Sequence, residues 1–190
     1  MRGEVSMRGV SGYRKCELNK WSRDDSVQVI EVKGNYEVLV DKWYYDKNCL
    51  FDWKIRSGYA YRIDERGIVI LMARDVLRAN DSEYLVDHID GNTLHNCESN
   101  LRLCTHAENS YNTKKTIKVT TSEFKGVCKC GGVWVASIKK SGKTINLGRH
   151  KKELDAALAY DTAAVYLFGE FARINFPQHK DKLLIECLSG

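Results

Sequence analysis

The stretch from Tyr84 to Asn112, YLVDHIDGNTLHNCESNLRLCTHAENSYN, sets an Asp-His pair, several Asn and two further His between short apolar pieces. Leu85, Val86 and Ile89 form the first piece and Leu101 and Leu103 the second, and each reads as a short strand. Asp90-Gly91-Asn92 is turn chemistry, and TLHNCESN, without periodicity, is loop. Thr105, with Glu108 three residues on, makes a capping box that opens a helix over HAENSYNT. The order is strand, long loop, strand, helix. Strands this small do not require so many polar side chains, which marks the segment as a site.

Upstream, VQVIEV and YEVLVD alternate apolar and polar around Gly34-Asn35 and predict a hairpin beginning near Val27. The aromatic-rich KWYYDKNCLFDWKIRSGYAYRID and the following IVILM predict a second small antiparallel sheet, with ARDVLRAN as a short helix ending near Asn80. Trp43, Tyr44, Phe51, Trp53 and Tyr59 are expected in the core rather than as stacking platforms. Residues 1–26 are polar and mixed in charge and suggest an arm.

Downstream, residues 113–122 read as a basic linker and domain boundary. FKGVCK, VWVASIKK and TINLGRH are three strand candidates joined by Gly131-Gly132 and Ser141-Gly142. A helical pattern from Lys152 to Phe168 stops at Gly169, with Ala156, Ala157, Tyr160, Ala163, Ala164 and Leu167 in one stripe about 120° wide. A tail from residue 178 fades into a weakly helical end. The fold class is therefore α+β: a strand-rich region 27–112 around the site, then a small three-stranded antiparallel sheet packed on one helix over 123–177.

The 190 residues suffice for one ordinary domain or two small ones. No long apolar run or secretory segment is present, so neither a membrane span nor export is indicated and an intracellular protein is expected. Seven scattered cysteines suit free thiols in a reducing compartment. Cys97 with Cys104 and Cys128 with Cys130 lack zinc-site spacing, so no structural zinc is expected. Ser110 to Lys152 holds eleven Lys or Arg against one acid, Glu123, although the whole chain carries only +5. Such a basic block beside a polar cluster points to a polyanion partner.

Phosphodiester hydrolysis needs a base for water and a cation to take up charge on the phosphate. A neutral His serves as base near neutral pH, while a carboxylate and an amide oxygen are hard ligands for magnesium or manganese. Asp87, His88 and Asn109 supply one of each. Adjacent strand residues diverge, so Asp87 and His88 meet one site only if the strand is irregular or the metal lies at its end. Asn109 shares a helix face with Thr105 or His106 and with Asn112, from which a helix crossing the strands could aim it at Asp87. Asn100 is placed to pin the loop or the ring of His88. His95 and His106 remain spare. The same residues also suit a polar turn with a capped helix and an incidental His88.

On VDHIDGN followed by ESNLRLCTHAEN, with His88, Asn100 and Asn109 separated by twelve and nine residues, the segment resembles the HNH (ββα-metal) endonucleases, particularly homing enzymes of phages and mobile introns. The resemblance implies that His88 is the general base, that Asp87 and Asn109 hold one divalent metal, and that Asn100 orients His88 and steadies the loop. It also implies products with 3′-hydroxyl and 5′-phosphate ends, and a place in the cytoplasm of a bacterial host. Many relatives carry a His where Ala73 stands. FKGV, WVASI, INLG, AALAYDTAA and FGEFARINFP resemble the Apetala-two/ethylene-response-factor DNA-binding domain, which lays a three-stranded sheet in the major groove of double-stranded DNA. Several positions depart from that pattern: Lys125, Cys128 and Cys130 stand where Arg is common, and Asn146 where Trp is common. Lys125, Lys129, Trp134, Lys139, Lys143 and Arg149 are the expected DNA contacts, with Trp134 equally suited to burial.

Together these readings predict a metal-dependent DNA endonuclease of homing type, addressed by its C-terminal part. The alternative is a sequence-specific DNA-binding regulator with a vestigial HNH centre. If about six cations met phosphates, affinity would fall roughly three orders of magnitude between about 50 and 200 mM salt.

Overall fold

The computed structural model describes residues 26–113 and 121–189. The expected N-terminal arm and most of the expected basic linker lie outside the described residues. Helices and several small antiparallel sheets mix along the chain, an α+β fold. Two compact units divide it. Of the described residues, 26–80 and 92–102 make the first, and 81–91, 103–113 and 121–189 the second.

In the first unit, β1 (Val27–Val32) and β2 (Tyr36–Asp41) pair as the expected hairpin, from Val27 opposite Asp41 to Val32 opposite Tyr36. The turn takes Gly34 and Asn35 to positive φ, 95° and 61°, a conformation these two residue types tolerate best. β2 is covered on both faces. Val38 and Val40 are fully buried, and Leu39 exchanges backbone hydrogen bonds with the loop beyond, its N–H donating to Leu94 O and its carbonyl accepting from the Asn96 N–H.

α1 (Lys42–Asn48) replaces part of the sheet expected in the aromatic stretch. No side chain caps its N-terminus; it forms because Tyr44 buries, with its hydroxyl donating to Asp75 Oδ2 at 2.7 Å, while Trp53 Nε1 donates to Asn48 O at 2.9 Å. Only Tyr44 and Trp53 of the five aromatics reach the core. Trp43, Phe51 and Tyr59 are exposed, Phe51 lying under the Arg62 guanidinium at 4.3 Å. β3 (Lys54–Arg56), β4 (Tyr59–Ile63) and β5 (Val69–Leu71) form the second expected antiparallel sheet. α2 (Met72–Val76) begins and ends earlier than ARDVLRAN suggested, since burial of Met72, Ala73 and Val76 sets its face and Arg78 takes positive φ.

β6 (Leu85–His88) pairs with β7 (Leu101–Cys104), of which Leu103 and Cys104 belong to the second unit, and α3 (His106–Tyr111) follows. Beyond the undescribed residues come β8 (Val127–Cys130), β9 (Val133–Lys140) and β10 (Lys143–His150), with β9 central and both pairings antiparallel. α4 (Glu153–Phe168) crosses this sheet, its alanines permitting close approach, and ends as expected at Gly169 with φ 54°. One cluster gathers Ile138, Tyr160, Ala164, Val165, Ala172 and Ile174, another Val127, Ala136, Ala156 and Ala157. Gly126 lets Tyr160 pass: a Cβ there would sit 1.9 Å from the ring. α5 (Lys180–Ser189) closes the described chain.

Asp161, buried in the apolar stripe of α4, is a polar core residue the pattern did not suggest. Its Oδ1 accepts from the Asn175 N–H and Nδ2 and its Oδ2 from the Phe176 N–H, while Asn175 Oδ1 accepts from the Lys125 N–H. Burial raises its carboxyl pKa, and the hydrogen bonds from Asn175 and Phe176 oppose the shift.

Candidate active site

Leu85 to His88 extend toward the Asp90-Gly91 turn, and the Gly91 N–H donates to His88 O at 2.8 Å. Asp87 and His88 are neighbours at the end of β6, and both are buried, at 6% and 4% exposure.

The capping box expected at α3 is present: Thr105 Oγ1 accepts from the Glu108 N–H, and Glu108 Oε2 accepts from the Thr105 N–H. The helix therefore starts at His106 and places Asn109 and Asn112 on one face, three residues apart. That face looks onto β6. Asn112, at the helix C-cap and buried, donates through Nδ2 to Asp87 Oδ1 at 2.9 Å, to Asp87 Oδ2 at 3.0 Å and to His88 O at 2.9 Å. The carboxamide gripping Asp87 is that of Asn112; Asn109, half-buried, precedes it on the same face. The signal for Asn112 was its helix-face spacing from Asn109.

Asn100, in the first unit, is buried and donates from Nδ2 to His95 O at 2.9 Å, closing the loop that precedes β7. His95 is itself buried, its N–H donating to Asn92 O. His106 is exposed on the first turn of α3.

Residues 80–111 match the family described as HNH endonuclease. The chain is 37% identical over 152 residues to the Uncharacterized HNH endonuclease L560 of Acanthamoeba polyphaga mimivirus, covering 75% of this chain and 76% of that protein. The chain belongs to the HNH endonuclease family. Protein 3.8 of Escherichia phage T7 is 38% identical over 92 residues, 47% of this chain and 74% of that protein. The Ethylene-responsive transcription factor ERF010 of Arabidopsis thaliana is 47% identical over 49 residues, 25% of this chain and 27% of that protein. No helix among the described residues is long and apolar enough to cross a membrane.

For an HNH endonuclease the donor set is consistent with a divalent cation. Among the described residues no three His, Cys, Asp or Glu gather as a cage. One carboxylate and one carboxamide instead suit a hard ion that keeps waters and takes ligands from a phosphate. Among the described residues the cysteines form no disulfide, Cys128 and Cys130 standing exposed on β8.

The expected DNA contacts fall in different environments. Lys139 and Arg149 are exposed and lie opposite Thr144 and Val135, at register positions facing away from the α4-covered side where Ala136 and Ile138 are buried. Lys129 and Lys143 are exposed near strand ends. Trp134 is half-buried against the Val127 cluster, with the Lys129 ammonium 5.4 Å from its ring. Lys125 is engaged otherwise: its Nζ donates to Tyr111 O at 3.0 Å and Thr113 O at 2.8 Å.

Burial pushes the Lys125 ammonium down to about 8, the Arg173 charge adding to the shift and Asp161 partly offsetting it. An unfolded lysine holds its proton to about 10.4. Between these values the unfolded chain binds the extra proton, so stability rises with pH across that window, and the cost is fully present below it. The urea midpoint of the wild type, relative to Lys125→Met, should rise between about pH 8 and 10.4; a constant difference would remove the shift.

Proposed function

We propose that this chain is a divalent-metal-dependent DNA endonuclease of homing type, cutting double-stranded DNA where the β8–β10 sheet binds. The observation that carries the reading is the burial of Asp87 and His88 together at the end of β6, under the α3 face that bears Asn109 and Asn112. His88 takes the proton from the attacking water. Asp87 and Asn109 hold the metal, and Asn112 aims the Asp87 carboxylate. Asn100 steadies the loop through His95. The bound ion supplies charge stabilisation on the scissile phosphate and its leaving oxygen.

The sheet serves as the address. An Apetala-two/ethylene-response-factor reading is supported by the partial match to the Arabidopsis factor and by three antiparallel strands with α4 across one face. Viral and phage relatives support action within a host cell, a bacterial one if the phage likeness governs.

The test is supercoiled plasmid incubated with protein in magnesium, manganese or chelator. Nicked or linear product only with metal is expected. Retention of DNA without cleavage in either metal would replace the reading by a non-catalytic DNA-binding regulator. With Lys125 engaged on carbonyls, Lys129, Lys139, Lys143 and Arg149 remain for phosphates. With these four contacts DNA affinity should fall about a hundredfold between about 50 and 200 mM salt, against roughly five hundredfold had Lys125 met a phosphate as well; a gel-shift titration reads the slope.

A further inference from the structure

Three contacts join the β6–α3 segment to the sheet-and-helix part of the second unit. Tyr111, which ends α3, stacks on Phe168, which ends α4, with ring centroids 3.9 Å apart and planes 13° from parallel. Lys125, two residues before β8, donates to the carbonyls of Tyr111 and Thr113 at the C-terminal end of α3, where a cation also meets the negative end of the helix dipole. Arg173 Nη1 donates to Asp90 O at 3.0 Å, in the turn directly after His88.

The contacts differ in chemistry and arise from three separate places: the approach to β8, the end of α4 and the segment beyond it. They hold two separate parts of the site segment, the helix bearing Asn109 and the turn following His88. A tether alone would raise the local concentration of DNA without fixing its direction. Attachment at three points on different elements fixes direction as well as distance.

We propose that the Tyr111–Phe168 stack, Lys125 and Arg173 are positioning contacts that hold the cutting centre in one register against the DNA-binding sheet, so that cleavage falls at a set distance from the bound sequence. This inference rests on the endonuclease reading above. Phe168 and Arg173 touch no reacting group; they govern where the cut falls.

Two measurements on the full chain test it. In the first, bacterial genomic DNA is digested in magnesium and the product ends are sequenced. Wild type should cut at a single phosphate relative to its consensus. Phe168→Ala with Arg173→Ala should spread the ends over several neighbouring phosphates while DNA retention stays within about twofold, and Phe168→Tyr should restore the single position. An equally sharp position in the double variant overturns the inference. Arg173→Ala alone, outside both core clusters, serves if the double variant does not fold. In the second, residual dipolar couplings are collected from the amides of β6 and α3 and from those of β8 to α4. One alignment tensor should fit all of them in the wild type and two should be needed in the double variant; a wild type needing two overturns the inference. Absence of all cleavage by the wild type would defeat the endonuclease reading, and the couplings would still decide the docking.

Discussion

His88→Ala should slow single-turnover cleavage of supercoiled plasmid by roughly two to four orders of magnitude, the usual contribution of a positioned general base. The backbone at His88 is fixed independently of its ring, since its carbonyl accepts from the Gly91 N–H and from Asn112 Nδ2. Removing the ring should therefore spare β6 and the Asp87–Asn112 pairing, and the loss should fall on the rate. DNA retention should stay at the wild-type level, because the exposed cations of β8, β9 and β10 are remote in sequence from the substitution. Added imidazole should recover part of the rate by replacing the missing base. Equal cleavage by the two proteins would remove His88 from the role.

Much of this arrangement is legible in the sequence where local chemistry agrees with tertiary packing. The first hairpin is legible because alternation and a Gly-Asn turn specify one register; α4 is legible because its alanine stripe and Gly169 mark face and end. The capping box Thr105–Glu108 likewise locates α3 from four residues. α1 is not legible, because its aromatics favour strands and Asp41 at its N-cap gives its carboxylate to the Glu98 N–H instead of capping it; the burial of Tyr44 and the hydrogen bonds to Asp75 and Asn48 O come from residues distant in the chain or beyond the helix. Lys125 shows a second limit. A lysine in a basic block has the same sequence signature whether it meets phosphate or a helix carbonyl, and its acceptors lie twelve and fourteen residues earlier. Asp161 reads as a break in an apolar stripe until the Asn175 and Phe176 amides return to it. In the site segment, the family resemblance proposes Asp87, His88, Asn100 and Asn109, but which carboxamide grips Asp87 depends on how α3 crosses β6.

That dependence makes Asn112 the second informative position. Its amide nitrogen has two hydrogens and three short acceptors, so one hydrogen is shared across the Asp87 carboxylate while the other meets His88 O. Asn112→Ala removes a donor from a buried carboxylate and from the carbonyl of the proposed base, and should lower stability by about 1–3 kcal/mol in chemical denaturation. Because the lost bonds orient the proposed metal ligand rather than form one, the magnesium concentration for half-maximal cleavage should rise about 10–100-fold, with much of the rate recovered at saturating metal. Asn112→Asp, of similar size, sets a second carboxylate against Asp87 and supplies no donor, so it should be at least as unstable as the alanine variant at neutral pH and should recover on acidification as the pair takes up a proton. An unchanged magnesium midpoint in Asn112→Ala would show that Asp87 keeps its orientation without this side chain, and Asn112 would then be only a helix terminator.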